Sequence, residues 1–128
     1  MTVIAHGIDI VEIARIASML RRHGTRFRQR CFTDAEQAYA DSGKALCDER
    51  YAARFAAKEA VFKCLGTGWS GGVEWTDVEV SRASGGAPAI VLRGKSLVIA
   101  GELGIGRWHL SLSHGGGMAV ASAIACRD

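Results

Sequence analysis

Residues 48–65, DERYAARFAAKEAVFKCL, read as the longest helix of the chain. Tyr51, Phe55 and Phe62 fall on related faces, and Gly66 supplies the residue that most readily ends a helix, so the expected span is about Asp48 to Leu65. Upstream, Thr33 followed by Glu36 forms a capping box, in which hydroxyl and carboxylate each satisfy a free backbone N–H. The helix it starts ends near Gly43. Before that, Ile13, Ile16, Ala17 and Leu20 repeat at helical spacing from Glu12 to about His23, with Gly24 as a stop. Val3 to Val11 is rich in Val and Ile and reads as a strand, interrupted by Gly7 and Asp9.

Downstream the pattern changes. Val73 to Val80 and Ala89 to Leu92 read as strands joined by a turn at Gly85-Gly86. Ser96 to Leu103 reads as a short helix capped by Ser96 and stopped by Gly104. Trp108 to Ser113 and Met118 to Ala125 are apolar runs around Gly115-Gly116-Gly117, the pattern of an antiparallel hairpin. The expected class is α+β, an antiparallel sheet covered by helices. At 128 residues the chain is one domain by size, residues 1–128.

Composition excludes several classes. A hydrophobic share of 48% and a charged share of 23% are those of a globular protein, not a fibrous or disordered one. No apolar run approaches a membrane span. Met1 to Ile10 lacks a cationic lead and contains His6 and Asp9, so no signal peptide is expected and the compartment is the cytoplasm. Cys31, Cys47, Cys64 and Cys126 form no CxxC pair and read as buried free thiols rather than a zinc site or disulfide frame. Charge is uneven: Arg15, Arg21, Arg22, Arg26, Arg28 and Arg30 occur with no intervening Asp or Glu, which predicts an acidic partner or ligand.

Three places carry candidate chemistry. Asp9 lies inside an apolar strand, where a bare carboxylate is costly; it reads either as a cap for the helix near Glu12 or as a paired or metal-bound group. Within the long helix, Glu59 and Lys63 stand at i, i+4, as do Arg54 and Lys58. These are either solvated pairs or, with Gly66-Thr67-Gly68 following, a carboxylate for a divalent metal beside cations for phosphate. That Gly-Thr-Gly is not a P-loop, since it follows a helix and lacks the Gly-Lys-Ser/Thr ending. Ser111-Leu112-Ser113-His114 ends a strand without the GxSxG elbow, so a serine nucleophile paired with His114 is not expected. His6, His23 and His109 have no partner at ligand spacing.

Together these segments resemble a family. Gly7-Ile8-Asp9 through Arg15 is similar to the GxDxxxxxR opening of bacterial holo-[acyl-carrier-protein] synthases. Phe55 through Lys63 resembles the (W/F)xxKEAxxK signature of the phosphopantetheinyl transferase superfamily, and Ser111-Leu112-Ser113-His114 with Ala119-Val120-Ala121 resembles the SLSH…AxA close. Phe32-Thr33-Asp34-Ala35-Glu36 and Gly66-Thr67-Gly68 match in order, so the resemblance spans essentially the whole chain. The family often has Thr after the His, where this chain has Gly115-Gly116-Gly117.

The resemblance implies a phosphopantetheinyl transferase fold and a Mg2+-dependent transfer of 4'-phosphopantetheine from coenzyme A to a serine of an apo acyl carrier protein, releasing adenosine 3',5'-bisphosphate. It implies Asp9 and Glu59 as protein ligands of Mg2+, and Lys63 at the transferring phosphate. Arg54, Lys58, Lys63, Gly66 and His114 would bind coenzyme A. Arg15, Met19, Arg22 and Arg26 would dock the acidic helix of the carrier. The serine proton would pass to Glu59 or to a metal-held water. A homotrimer with sites at subunit interfaces is implied, with no membrane or nucleic-acid partner. Two rivals remain: a small basic nucleic-acid-binding domain using the arginine block, which holds only Phe27 as an interleaved aromatic, and a degenerate structural subunit, against which Asp9, Glu59 and Lys63 stand intact.

Overall fold

A computed structural model describes residues 1–67, 71–82 and 86–128. The Val- and Ile-rich run at the start of the chain makes β1 (Thr2–Glu12), which passes directly into α1 (Ile13–Cys31). Then come α2 (Asp34–Asp41), a 3-10 turn at Lys44–Leu46 and the long α3 (Cys47–Leu65). A second 3-10 turn, Trp75–Asp77, leads into the hairpin of β2 (Val78–Arg82) and β3 (Pro88–Leu92). After α4 (Gly94–Glu102), β4 (Arg107–Gly115) and β5 (Met118–Arg127) complete an antiparallel sheet of order β1-β5-β4. The expected α+β arrangement of antiparallel strands and helices is the observed one.

Close approach organises the core. The inward residues of β5, Ala119, Ala121, Ala123 and Ala125, are fully buried, as are Ala52, Ala56, Ala57 and Ala60 of α3, the helix packed on the sheet. Small side chains on both surfaces let helix and sheet approach closely, and aromatic residues close the flank. Phe55 stacks on Trp75 at 4.8 Å, Phe32 meets Tyr51 edge-on at 4.8 Å, and Phe27 meets Phe32 edge-on at 5.6 Å. Truncating a buried aromatic of this kind costs about 3–5 kcal/mol.

Several boundaries differ from expectation, each for a local reason. Gly24 bends the first helix without ending it: at φ 44°, ψ −121° it makes a kink, and the helix resumes so that Phe27 and Cys31 are buried. Asp9 does not cap α1, whose start at Glu12 has no side-chain cap and whose Ile13 N–H donates to the Gly117 carbonyl instead. The strand expected from Val73 begins only at Val78, because Trp75 turns in against Phe55 and Phe62. Ser96 is the third residue of α4 rather than its cap; its hydroxyl donates toward the Asp77 and Arg93 carbonyls. The capping box of Thr33 and Glu36 forms as expected, and Gly66 closes α3 at φ 76°. Two of the glycines at 115–117 make the β4–β5 turn, with Gly116 and Gly117 at φ 60° and 80°. Gly68 and Gly85, parts of the expected Gly66-Thr67-Gly68 loop and Gly85-Gly86 turn, lie outside the described residues. All four cysteines are free thiols, and burial pushes the Cys31 thiol up to about 11.

Candidate functional site

The face of β1 turned toward α3 carries Gly7, Asp9 and Val11, opposite the buried alanines of β5. From there the Asp9 carboxylate meets α3. It accepts a hydrogen bond from Lys63 Nζ at 3.2 Å, and the same ammonium donates to the Ile8 carbonyl at 2.7 Å. Glu59 precedes Lys63 by one turn. Burial pushes its carboxyl above the usual range and the Asp9 charge adds to this, while Lys63 and Arg15 act the other way. Asp9 and Arg15 from the start of the chain thus form one electrostatic cluster with Glu59 and Lys63 of α3.

Two hard oxygen donors close enough to repel each other fit a cation that takes few protein ligands and keeps the rest of its shell for water or phosphate. Among the described residues no group of three or more His, Cys, Asp or Glu side chains forms a complete protein cage. Mg2+ suits this donor set.

A second cluster lies one to two turns earlier on α3. The Arg54 guanidinium is buried and lies over the Tyr39 ring at 4.1 Å. Arg50 lies over the same ring at 4.1 Å, and Arg82 donates to the Tyr39 hydroxyl at 2.7 Å. Among the described residues, Arg54 Nε is the one buried side-chain polar atom without a hydrogen-bond partner. Burial holds the Arg54 guanidinium below its ordinary range, Arg82 and Arg50 adding to this and Tyr39 and Glu36 opposing. The cavity these arginines line also reaches Ser113 and His114, whose Nε2 stands 3.8 Å from Glu49. Three guanidiniums around one cavity are the kind of donor set that pairs with phosphate oxygens.

Lys58 does not join that cavity. Its ammonium is fully buried, 2.8 Å from Glu36, and donates to the Trp75 and Val78 carbonyls. The i, i+4 spacing does put Arg54 and Lys58 on one side of α3, but α2 and β2 cover that side at Lys58. The expectation that Lys58 touches coenzyme A is therefore corrected: it is an internal ion-pair partner. Gly66 ends α3 three residues beyond Lys63. Tyr39, Arg50 and Arg82 escaped the sequence reading, and Glu36 entered it only as a cap. A cluster of cations on α3 facing an aromatic residue of the preceding helix was the one available signal.

On α1, Arg15, Arg22 and Arg26 are exposed and Met19 is half-buried. Arg15 and Arg30 edge a groove floored by Met19, Phe27, Phe55 and Trp75. Phe27, the block's single aromatic, is turned into the core and is not free to stack on a base.

The model of the 4'-phosphopantetheinyl transferase superfamily matches residues 5–122, including both clusters. The chain belongs to the holo-[acyl-carrier-protein] synthases of that superfamily. Over 122 residues it is 52% identical to the holo-[acyl-carrier-protein] synthase of Koribacter versatilis, covering 95% of this chain and 97% of the relative. The crystal structure of holo-[acyl-carrier-protein] synthase from Neisseria meningitidis superposes with a TM-score of 0.86 at 31% identity, covering 98% of this chain and 99% of that one. The Bacillus anthracis enzyme in complex with CoA (3',5'-ADP) superposes with a TM-score of 0.82 at 32% identity, over the full length of both chains. The chain is thus an enzyme, a phosphopantetheinyl transferase.

Proposed function

We propose that this enzyme transfers 4'-phosphopantetheine from coenzyme A to a serine of an apo acyl carrier protein with Mg2+, releasing adenosine 3',5'-bisphosphate. Residues 1–128 act as one domain, in the cytoplasm. The observation that carries the reading is the cluster of Asp9, Glu59 and Lys63 beside the arginine cavity of α3. Asp9 and Glu59 would hold Mg2+, which when bound offsets the negative charge of the diphosphate. Arg50, Arg54, Arg82 and His114 hold the phosphate-bearing nucleotide end. The carrier serine Oγ attacks the pantetheine phosphorus, Glu59 accepts the serine proton, and the P–O bond to the nucleotide breaks. Lys63 meets the charge that develops on the departing bisphosphate.

The exposed arginines of α1 dock the acidic helix of the carrier, and the adjoining groove receives an apolar side chain from it. The outer face of the sheet is apolar at Ile8 and Ile10, which are 56% and 60% exposed, and second and third copies cover it in a homotrimer. The test is incubation with coenzyme A, Mg2+ and a panel of apo carrier proteins, read by mass spectrometry. A carrier that gains phosphopantetheine only when metal is present supports the reading. Carriers left unmodified across fatty-acid, polyketide and peptide types would overturn it.

A further inference from the structure

Glu36 and Lys58 are the largest polar expense of the core that the transfer chemistry leaves unused. Both are essentially inaccessible, at 1% and 0% exposure. One Glu36 oxygen accepts from the Thr33 N–H at 2.8 Å and from Lys58 Nζ at 2.8 Å; the other accepts from the Val80 N–H at 2.8 Å. Lys58 completes its donors on the Trp75 and Val78 carbonyls. Burial pushes the Lys58 ammonium down and the Glu36 carboxylate pulls it back. An ion pair so enclosed gives little net stability compared with an apolar pair of the same volume, so its retention calls for another reason.

That reason lies in what the three joined elements carry. Glu36 is on α2, and one turn later α2 presents Tyr39. Lys58 is on α3, and one turn earlier α3 presents Arg54. Val80 is on β2, and two residues later β2 presents Arg82. Tyr39, Arg54 and Arg82 line the arginine cavity: Arg54 lies over the Tyr39 ring at 4.1 Å and Arg82 donates to the Tyr39 hydroxyl at 2.7 Å. We propose that the Glu36–Lys58 pair is a positioning unit for nucleotide binding, locking α2, α3 and β2 in the arrangement that assembles this cavity, without touching the ligand. The inference rests on reading the cavity as the seat of the nucleotide end of coenzyme A.

The experiment is a double-mutant cycle on the full chain, comparing wild type with E36Q, K58M and E36Q/K58M well below their unfolding temperatures. Calorimetric titration with adenosine 3',5'-bisphosphate gives the affinity directly, and transfer assays give kcat and the KM values for coenzyme A and carrier. Each single variant is expected to weaken bisphosphate binding by about tenfold. The double variant should be no weaker than the worse single one, as for residues acting as one unit. The KM for coenzyme A should rise in step, with kcat and the carrier KM held within about twofold. If a single variant does not fold, the charge-free double variant decides: weakened bisphosphate binding with an unchanged carrier KM supports the inference. Folded variants that bind as wild type does would overturn it. So would loss of binding in K58M with none in E36Q, which would make Lys58 a direct ligand contact. Wild type that fails to bind the bisphosphate at all would overturn the nucleotide reading of the cavity, and this inference with it.

Discussion

Gly7 of β1 lies so close against Ala60 of α3 that a Cβ at residue 7 would overlap the Ala60 carbonyl oxygen and stand 3.2 Å from the Lys63 Cβ. Two residues along the same strand face is Asp9, and three residues along the helix is Lys63. The contact therefore sets the distance across which Asp9, Glu59 and Lys63 meet. Gly7→Ala is expected to push β1 off the helix, lowering stability by about 1–3 kcal/mol and transfer activity by more than that loss accounts for. Denaturant unfolding and steady-state kinetics check both, and a variant as stable and active as wild type would contradict the account.

Glu59 links metal, pH and stability. Its folded-state carboxyl titrates above the ordinary range, through burial and then the Asp9 charge, so folding takes up a proton between the ordinary carboxylate pKa of about 4.3 and that raised value. The sign follows: the charged form opposes folding, and the stability available at low pH is lost as pH rises through the raised value. Glu59→Gln is expected to raise the melting temperature at neutral pH without metal, the gain fading as pH falls toward 4. Mg2+ should raise the melting temperature of wild type but not of the variant, and transfer should be lost. Thermal unfolding from pH 4 to 8 with and without Mg2+, beside activity in excess chelator, is the check.

Lys63 pairs with Asp9 yet its side chain is half-exposed, so it can turn toward a phosphate. Its charge counts most in the transition state, so Lys63→Ala should lower kcat by about 100-fold or more and raise the KM for coenzyme A much less. Lys63 also holds the Glu59 carboxyl down. Its removal should move the acid limb of the kcat/KM profile to higher pH. An unaltered kcat in a folded variant would reduce Lys63 to a structural partner of Asp9.

The elements most legible in sequence are those whose signal is local. The long helix with Gly66 at its end, the Thr33–Glu36 box and the glycine-centred hairpin follow from periodicity and turn chemistry. The three motifs supplied Asp9, Glu59 and Lys63, and the structure brings those together. What escaped depended on which surface a neighbour covers. Helical spacing places Arg54 and Lys58 on one side of α3, but only the packing of α2 and β2 leaves one at a cavity and sends the other into an internal pair. Gly24 is compatible with a stop or a kink, and the burial of Phe27 and Cys31 selects the kink. Trp75 sits in a strand-like run, yet the stacking surface offered by Phe55 turns it into a 3-10 bend.

The arginines of α1 separate the proposed carrier partner from a nucleic acid. Arg22 and Arg26 are exposed and make no ion pair or hydrogen bond among the described contacts, so reversing their charge should leave the fold intact. Arg15 differs, because its charge reaches Glu59 and its loss would disturb the site as well as docking. In an Arg22→Glu, Arg26→Glu double variant, the carrier KM should rise at least about tenfold, while the KM for coenzyme A stays near wild type. Added salt should weaken carrier binding in the same selective way, since exposed charges are screened over about 8 Å at physiological ionic strength. Nucleic-acid binding would share that salt sensitivity, but it needs no divalent metal and exploits aromatic residues for stacking, whereas Phe27 is buried. Titrating wild type and the double variant with an apo carrier and with single-stranded RNA separates the two. Tight RNA binding lost in the variant, with carrier kinetics unchanged, would overturn the docking assignment; a selective rise in the carrier KM would establish it.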